Sequence, residues 1–199
     1  MRKASLERTT NETTISVEVN LDGEGKSDID TGIGFFDHML VHLAKHGQFD
    51  ITVKAKGDLV IDAHHTVEDV GICLGQAFLK AIGDPTGLTR FGHAVIPMDE
   101  ALAEAAVDFS GRPYLVYRAD VSKVKLGEFD AELAEEFFRA FAMNSRITLH
   151  VILRYATNVH HSVEVMFKAY ARALSQALTI DPNQKGIPST KGVLETRAN

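Results

Sequence analysis

His64-His65-Thr66-Val67-Glu68 in the first half of the chain returns as His160-His161-Ser162-Val163-Glu164 in the second, 96 residues later. At the same offset Ile51-Thr52-Val53 meets Ile147-Thr148-Leu149 upstream, and Ala77 and Ala81 meet Ala173 and Ala177 downstream. A strand, a turn and a helix repeated in register indicate one unit duplicated. If the motif opens a helix, His64 and Glu68 share a face, as do His65 and Glu68. The two adjacent histidines diverge by roughly 100° around the axis and do not converge on one ion. Each motif helix is therefore expected to serve two separate metal ions, with each ion drawing on both motifs. One such motif alone would be read as solvated or capping histidines; its recurrence makes it ligand material.

Outward from the motifs, the composition is that of a globular protein, with 45% hydrophobic and 24% charged residues. A net charge of −6 argues against general binding to a phosphate backbone, and no apolar run reaches the length of a membrane span. The first five residues lack the apolar core of a signal peptide. The single Cys73, set among Val70, Ile72 and Leu74, reads as a buried structural thiol and suits a reducing cytoplasm. Nine histidines is the unusual count, and most lie in or near the motifs.

Residues 4–21 alternate as strands, and Asp22-Gly23-Glu24-Gly25 predicts a hairpin turn into a returning strand over 26–30. A helix over 35–46 places Phe35, Met39, Leu40 and Leu43 on one face, with Gly47 ending it. It also carries a stripe, His38, His42 and His46. Phe49–Val53 and Leu59–Ile61 predict a hairpin through Gly57-Asp58, and Asp62 can cap the motif helix, which runs to about Ile82. The second half repeats the order: strands over 91–97, 101–109 and 114–121, a helix over 130–143, a strand over 146–155, and the second motif helix to about Leu178. The expected architecture is α+β: repeats over 1–89 and 90–180, each a small sheet with two helices, and an extended tail over 181–199, all in one integrated domain. The halves pack through their helices or through the other sheet faces. The helix carrying His38 corresponds to the one carrying Glu136, so Glu136 is a further candidate ligand.

Imidazoles and carboxylates without thiolates suit Mn, Fe(II), Co or Zn. His38, His64, His65, Glu68, Glu136, His160, His161 and Glu164 make eight donors, four for each of two ions, which leaves open positions for substrate. Arg90, Arg112, Lys168 and Lys191 could hold an anion, and Ser189-Thr190-Lys191-Gly192 suits an oxyanion. Lys168 lies one helical turn beyond Glu164 and faces the same way. A di-metal phosphoesterase or a metal-binding protein without turnover would use similar donors, but the latter leaves the basic residues without a purpose.

The chain resembles the imidazoleglycerol-phosphate dehydratase family. The resemblance rests on Gly34–Leu40, Gly57–Leu59, Asp62–Asp69, Pro97–Glu100, Ser110–Pro113, His160–Glu164 and Pro188–Gly192, and it spans almost the whole chain. It implies a ribosomal-protein-S5-domain-2-like duplicated fold and a cytoplasmic enzyme of histidine biosynthesis. It also implies two Mn2+ ions per active site, with sites shared between neighbouring subunits of a 24-subunit shell. By that resemblance the metal ligands are His38, His64, His65, Glu68, His160, His161 and Glu164. The phosphorylated imidazole substrate would meet Glu12, Arg90, Arg112, Lys168, Ser189 and Lys191. Two positions depart from the family pattern: Glu136, where histidine is frequent, and His42, where glutamine is, so His42 is expected near the substrate. The implied reaction is loss of water from the glycerol side chain. Glu68, Glu164 or a histidine would stand as base, and Glu12 or a metal-bound water would assist the departing hydroxyl.

Overall fold

The computed structural model describes residues 2–194. Its first half runs β1 (Lys3–Thr9), β2 (Thr13–Asn20), β3 (Ser27–Asp30), α1 (Gly34–Gly47), β4 (Asp50–Gly57) and α2 (His64–Ile82). The second runs β5 (Phe91–Met98), β6 (Ala101–Asp108), β7 (Tyr114–Arg118), β8 (Lys125–Leu126), β9 (Phe129–Asp130), α3 (Leu133–Ser145), β10 (Thr148–Tyr155) and α4 (Val159–Leu178). The sheets are ordered β1-β2-β4-β3 and β5-β6-β10-β7, each with one parallel pair at the same place, so the duplication extends to topology. The short β8–β9 hairpin has no counterpart in the first half and no clear signal in the sequence.

Alternation decides which face of each sheet is covered. Ile15, Val17 and Val19 on β2, and Ala101, Ala103, Ala105 and Val107 on β6, are buried beneath α2 and α4 respectively. The halves meet through their helices, α2 on α3 and α1 on α4. Aromatic rings line this contact: Phe36 of α1 meets Phe137 of α3 edge-on at 5.5 Å, and Phe78 of α2 meets Phe141 of α3 edge-on at 5.2 Å. Where α2 crosses α3, Gly71 and Gly75 let the backbones close. A Cβ at Gly75 would fall 2.7 Å from the Phe141 carbonyl oxygen, and one at Gly71 2.9 Å from Ala140 Cβ. Gly75→Val should therefore destabilise the protein by about 1–3 kcal/mol, an overpacking cost. A chemical-denaturation midpoint equal to wild type would contradict this contact.

Several local expectations are corrected. The Asp22–Gly25 turn does not make a hairpin, because β4 stands between β2 and β3. Strand β3, Ser-Asp-Ile-Asp, has little to bury and takes the edge, while Ile51 and Val53 of β4 are fully buried. The Asp50 carboxylate holds the turn by accepting from the backbone N–H groups of Glu24 and Lys26. Leu59–Ile61 forms a turn, not a strand: β4 already has a neighbour on each side, and Val60 is left 96% exposed. Helix α1 does end on Gly47, but its left-handed cap is the next residue, Gln48, φ 59°; α3 ends on Ser145 with Arg146 as the same kind of cap, φ 56°. These caps align the halves at an offset of 98, which matches β4 with β10 as Ile51 to Leu149 and His38 with Glu136. The earlier offset of 96 holds for the motif helices only.

Cys73 is buried, and burial pushes its thiol up to about 11, so it is a packing residue. No described helix is long and apolar enough to cross a membrane. The expected tail is described as far as Leu194; its residues 195–199 lie outside the described residues.

Candidate metal centre

Packing α1 on α4 brings together histidines that are far apart in sequence. His38 Nε2 lies 3.3 Å from Glu164 Oε2, and His160 Nε2 lies 3.0 Å from the same oxygen. Among the described residues, these three bring one donor atom each within 4.8 Å of one another. The fourth-residue spacing of His160 and Glu164 on one helix face accounts for two of the three donors. The third, His38, comes from the opposite repeat. Within the chain, then, this cluster draws on one motif and on α1, not on both motifs as the spacing suggested.

The stripe on α1 is not a solvated face throughout. His42 Nε2 approaches His38 Nε2 at 3.2 Å and Glu164 Oε1 at 3.1 Å, and its ring stacks on His46 at 5.4 Å. Burial lowers His42 to about 4, so the ring is neutral near pH 7. Burial works to raise the Glu164 carboxyl, but the Lys168 hydrogen bond, 2.6 Å at Oε1, outweighs it with help from His42 and His160, and Glu164 sits at about 2. The centre thus pairs a buried carboxylate with a lysine and three imidazoles.

The remaining motif histidines have carboxylate companions. His65 Nδ1 donates to Asp58 at 3.0 Å, and His161 Nδ1 donates to Glu100 at 2.8 Å. These bonds raise both imidazoles, and the His161 bond helps lower Glu100 to about 2. A carboxylate on one ring nitrogen fixes the tautomer and leaves Nε2 as the donor for a ligand. Asp58 and Glu100 lie in stretches that carry the family resemblance, but nothing in their spacing ties them to the histidines. The signal available was the habit of ligating histidines to keep a carboxylate behind them.

Around the α2–α3 contact the equivalent positions are Glu136, His64 and Glu68. His64, Glu135 and Glu136 line one cavity of ≈ 370 Å³; Glu135 pairs with Arg139, which also stands 4.0 Å from Glu136. Glu68 is half-buried, one turn beyond His64. Glu12, on the β1–β2 turn, lies 3.8 Å from His65 Nε2. That turn is tied down by Thr13 Oγ1, which donates to the buried Asp69, itself paired with Arg8 at 2.5 Å.

The basic residues divide. Lys168 belongs to the centre. Arg90 instead forks onto Asp108 at 2.7 and 3.2 Å and donates to the Pro188 carbonyl at 2.8 Å. Arg112 stands 3.7 Å from Asp108, and the Ser189–Lys191 segment follows Pro188. Arg90 holds a left-handed φ of 71°, its N–H bonded to the Ala177 carbonyl. Ala177 is about 25 Å along α4 from His160. Within one chain, Arg90 therefore lies far from His160 and Glu164.

Fold and site together define a duplicated α+β protein with an imidazole–carboxylate centre where its halves cross. The Imidazoleglycerol-phosphate dehydratase family model matches residues 31–174. The imidazoleglycerol-phosphate dehydratase of Gluconobacter oxydans is 61% identical over 194 residues, covering 97% of this chain and 98% of that protein. That of Bacillus subtilis is 55% identical over 194 residues, covering 98% and 100%. The crystal structure of the Staphylococcus aureus dehydratase superposes with a TM-score of 0.81 at 43% identity, covering 89% of this chain and 99% of that one. The chain belongs to the imidazoleglycerol-phosphate dehydratase family of hydro-lyases.

Proposed function

We propose that this chain dehydrates D-erythro-imidazoleglycerol phosphate to imidazoleacetol phosphate in histidine biosynthesis, in the cytoplasm, with two Mn2+ ions per active site. The convergence of His38, His160 and Glu164 carries the reading. Two imidazoles and a carboxylate held by Lys168 form a donor set that fits Mn2+. His64, Glu68 and Glu136 would hold the second ion at the equivalent helix contact, and His65 and His161 would offer Nε2 with their Nδ1 atoms engaged. When bound, Mn2+ supplies Lewis-acid stabilisation of charge on the substrate imidazole.

The protein's own groups then have distinct tasks. Arg90, Arg112, Ser189 and Lys191 would hold the phosphate and so fix the reacting carbons. Glu12 beside His65 would pass a proton to the departing hydroxyl, and Glu68 is the candidate to accept the carbon-bound proton, since both oxygens of Glu164 are engaged. The separation of the Arg90 group from His160 supports sites completed by a neighbouring subunit, as in a 24-subunit assembly. The test is direct: incubation with substrate and Mn2+, followed by the absorbance of the product enol in base. No product from folded, Mn2+-loaded protein would sink the proposal.

Glu136 has its own test. Glu136→Gln should weaken one of two Mn2+ equivalents by more than about tenfold, since a neutral amide is a poor donor, while Glu136→His preserves both. Two unchanged sites in the Gln variant, measured by metal titration, would leave Glu136 a surface residue.

A further inference from the structure

The two oxygens of Glu164 keep different company. Oε2 faces His38 and His160 at 3.3 and 3.0 Å, whereas Oε1 stands 3.1 Å from His42 Nε2 and 2.6 Å from Lys168 Nζ. The Glu164 side chain is only 7% exposed, so little water can take the place of either donor. His42 lies one turn beyond His38 on α1, so the packing that delivers His38 to Glu164 delivers His42 as well. It stands outside the group of donor atoms that gather within 4.8 Å. The His42 ring nitrogen is hydrogen-bonded to His38 Nε2 at 3.2 Å and stands within ion-pair distance of Glu164 Oε1. A cation on His38 would occupy that lone pair and leave Glu164 Oε1 as the acceptor. A carboxylate with both oxygens unengaged can bind a cation through one or two; with Oε1 held by Lys168 and, once His38 holds a cation, by His42 as well, only Oε2 is offered.

We infer that His42 is a positioning residue: with Lys168 it holds Oε1 of Glu164, so that the carboxylate presents Oε2 alone to the ion shared with His38 and His160. The inference rests on the metal reading proposed above and deepens it at one residue. It is tested by Mn2+ titration of wild type, His42→Leu and His42→Gln, with free Mn2+ followed by electron paramagnetic resonance and folding checked by thermal melts. His42→Leu should keep the wild-type number of equivalents but bind one class about tenfold or more weakly, the effect of losing a second-layer partner. His42→Gln, whose amide N–H can reach Oε1, should recover most of that affinity. If His42→Leu does not fold, His42→Ala is titrated in its place with the same expectation. Wild-type affinity in a folded Leu or Ala variant overturns the assignment. So does loss of a whole equivalent in both the apolar and the Gln variants, which would make His42 a ligand. A wild-type protein that takes up no Mn2+ is a separate result, and it sinks the metal reading itself.

Discussion

Exhaustive chelation is expected to abolish dehydration of imidazoleglycerol phosphate, by about a thousandfold or more, and added Mn2+ to restore it. The magnitude follows from the inventory of the site. Its donors are imidazoles and carboxylates, and Cys73, the one thiol, is buried and pushed up to about 11. The acid–base groups at hand, Glu12, Glu68 and Glu164, would have to remove a poorly acidic proton unaided, and positioned acid–base catalysis alone contributes about 10²–10⁴. Mg2+ should restore little, since it prefers oxygen donors and near-ideal octahedral geometry. Undiminished turnover in protein verified to be metal-free would overturn the metal role.

His160→Ala and His64→Ala should each lower turnover by about a thousandfold or more, although the two residues sit in opposite halves. Each removes an imidazole from one of two equivalent helix contacts, His160 from α4 against α1 and His64 from α2 against α3. Metal analysis should find one or both ions lost. A wild-type rate with two ions per chain in either variant would break the paired-motif argument. The same reasoning predicts complementation: chains carrying His160→Ala and chains carrying Arg90→Ala, each inactive alone, should recover part of the wild-type rate when assembled together. Each supplies the group that the other lacks, because Arg90 stands at the far end of α4 from His160. Verified mixed assemblies that stay inactive would refute sharing between subunits.

The sequence by itself determined the duplication, because ligand-type residues recur in register, and it determined most elements, because apolar spacing shows which face each one buries. The motif helices, His38 on α1 and the run of strands in each half were all legible in this way. What it could not determine is which buried face meets which. Periodicity marks Leu40 and Phe137 as core positions but does not say that α1 crosses α4 and α2 crosses α3; that depends on the fit of surfaces far apart in the chain, such as Gly71 and Gly75 against the α3 backbone. For the same reason Leu59–Ile61 has the composition of a strand and forms none, because both edges of β4 are taken. The company of each donor is likewise tertiary. His42 at Glu164, Asp58 behind His65, Glu100 behind His161, and the distance of Arg90 from all of them follow from helix crossings and turns, where a few ångströms of packing decide which polar groups touch.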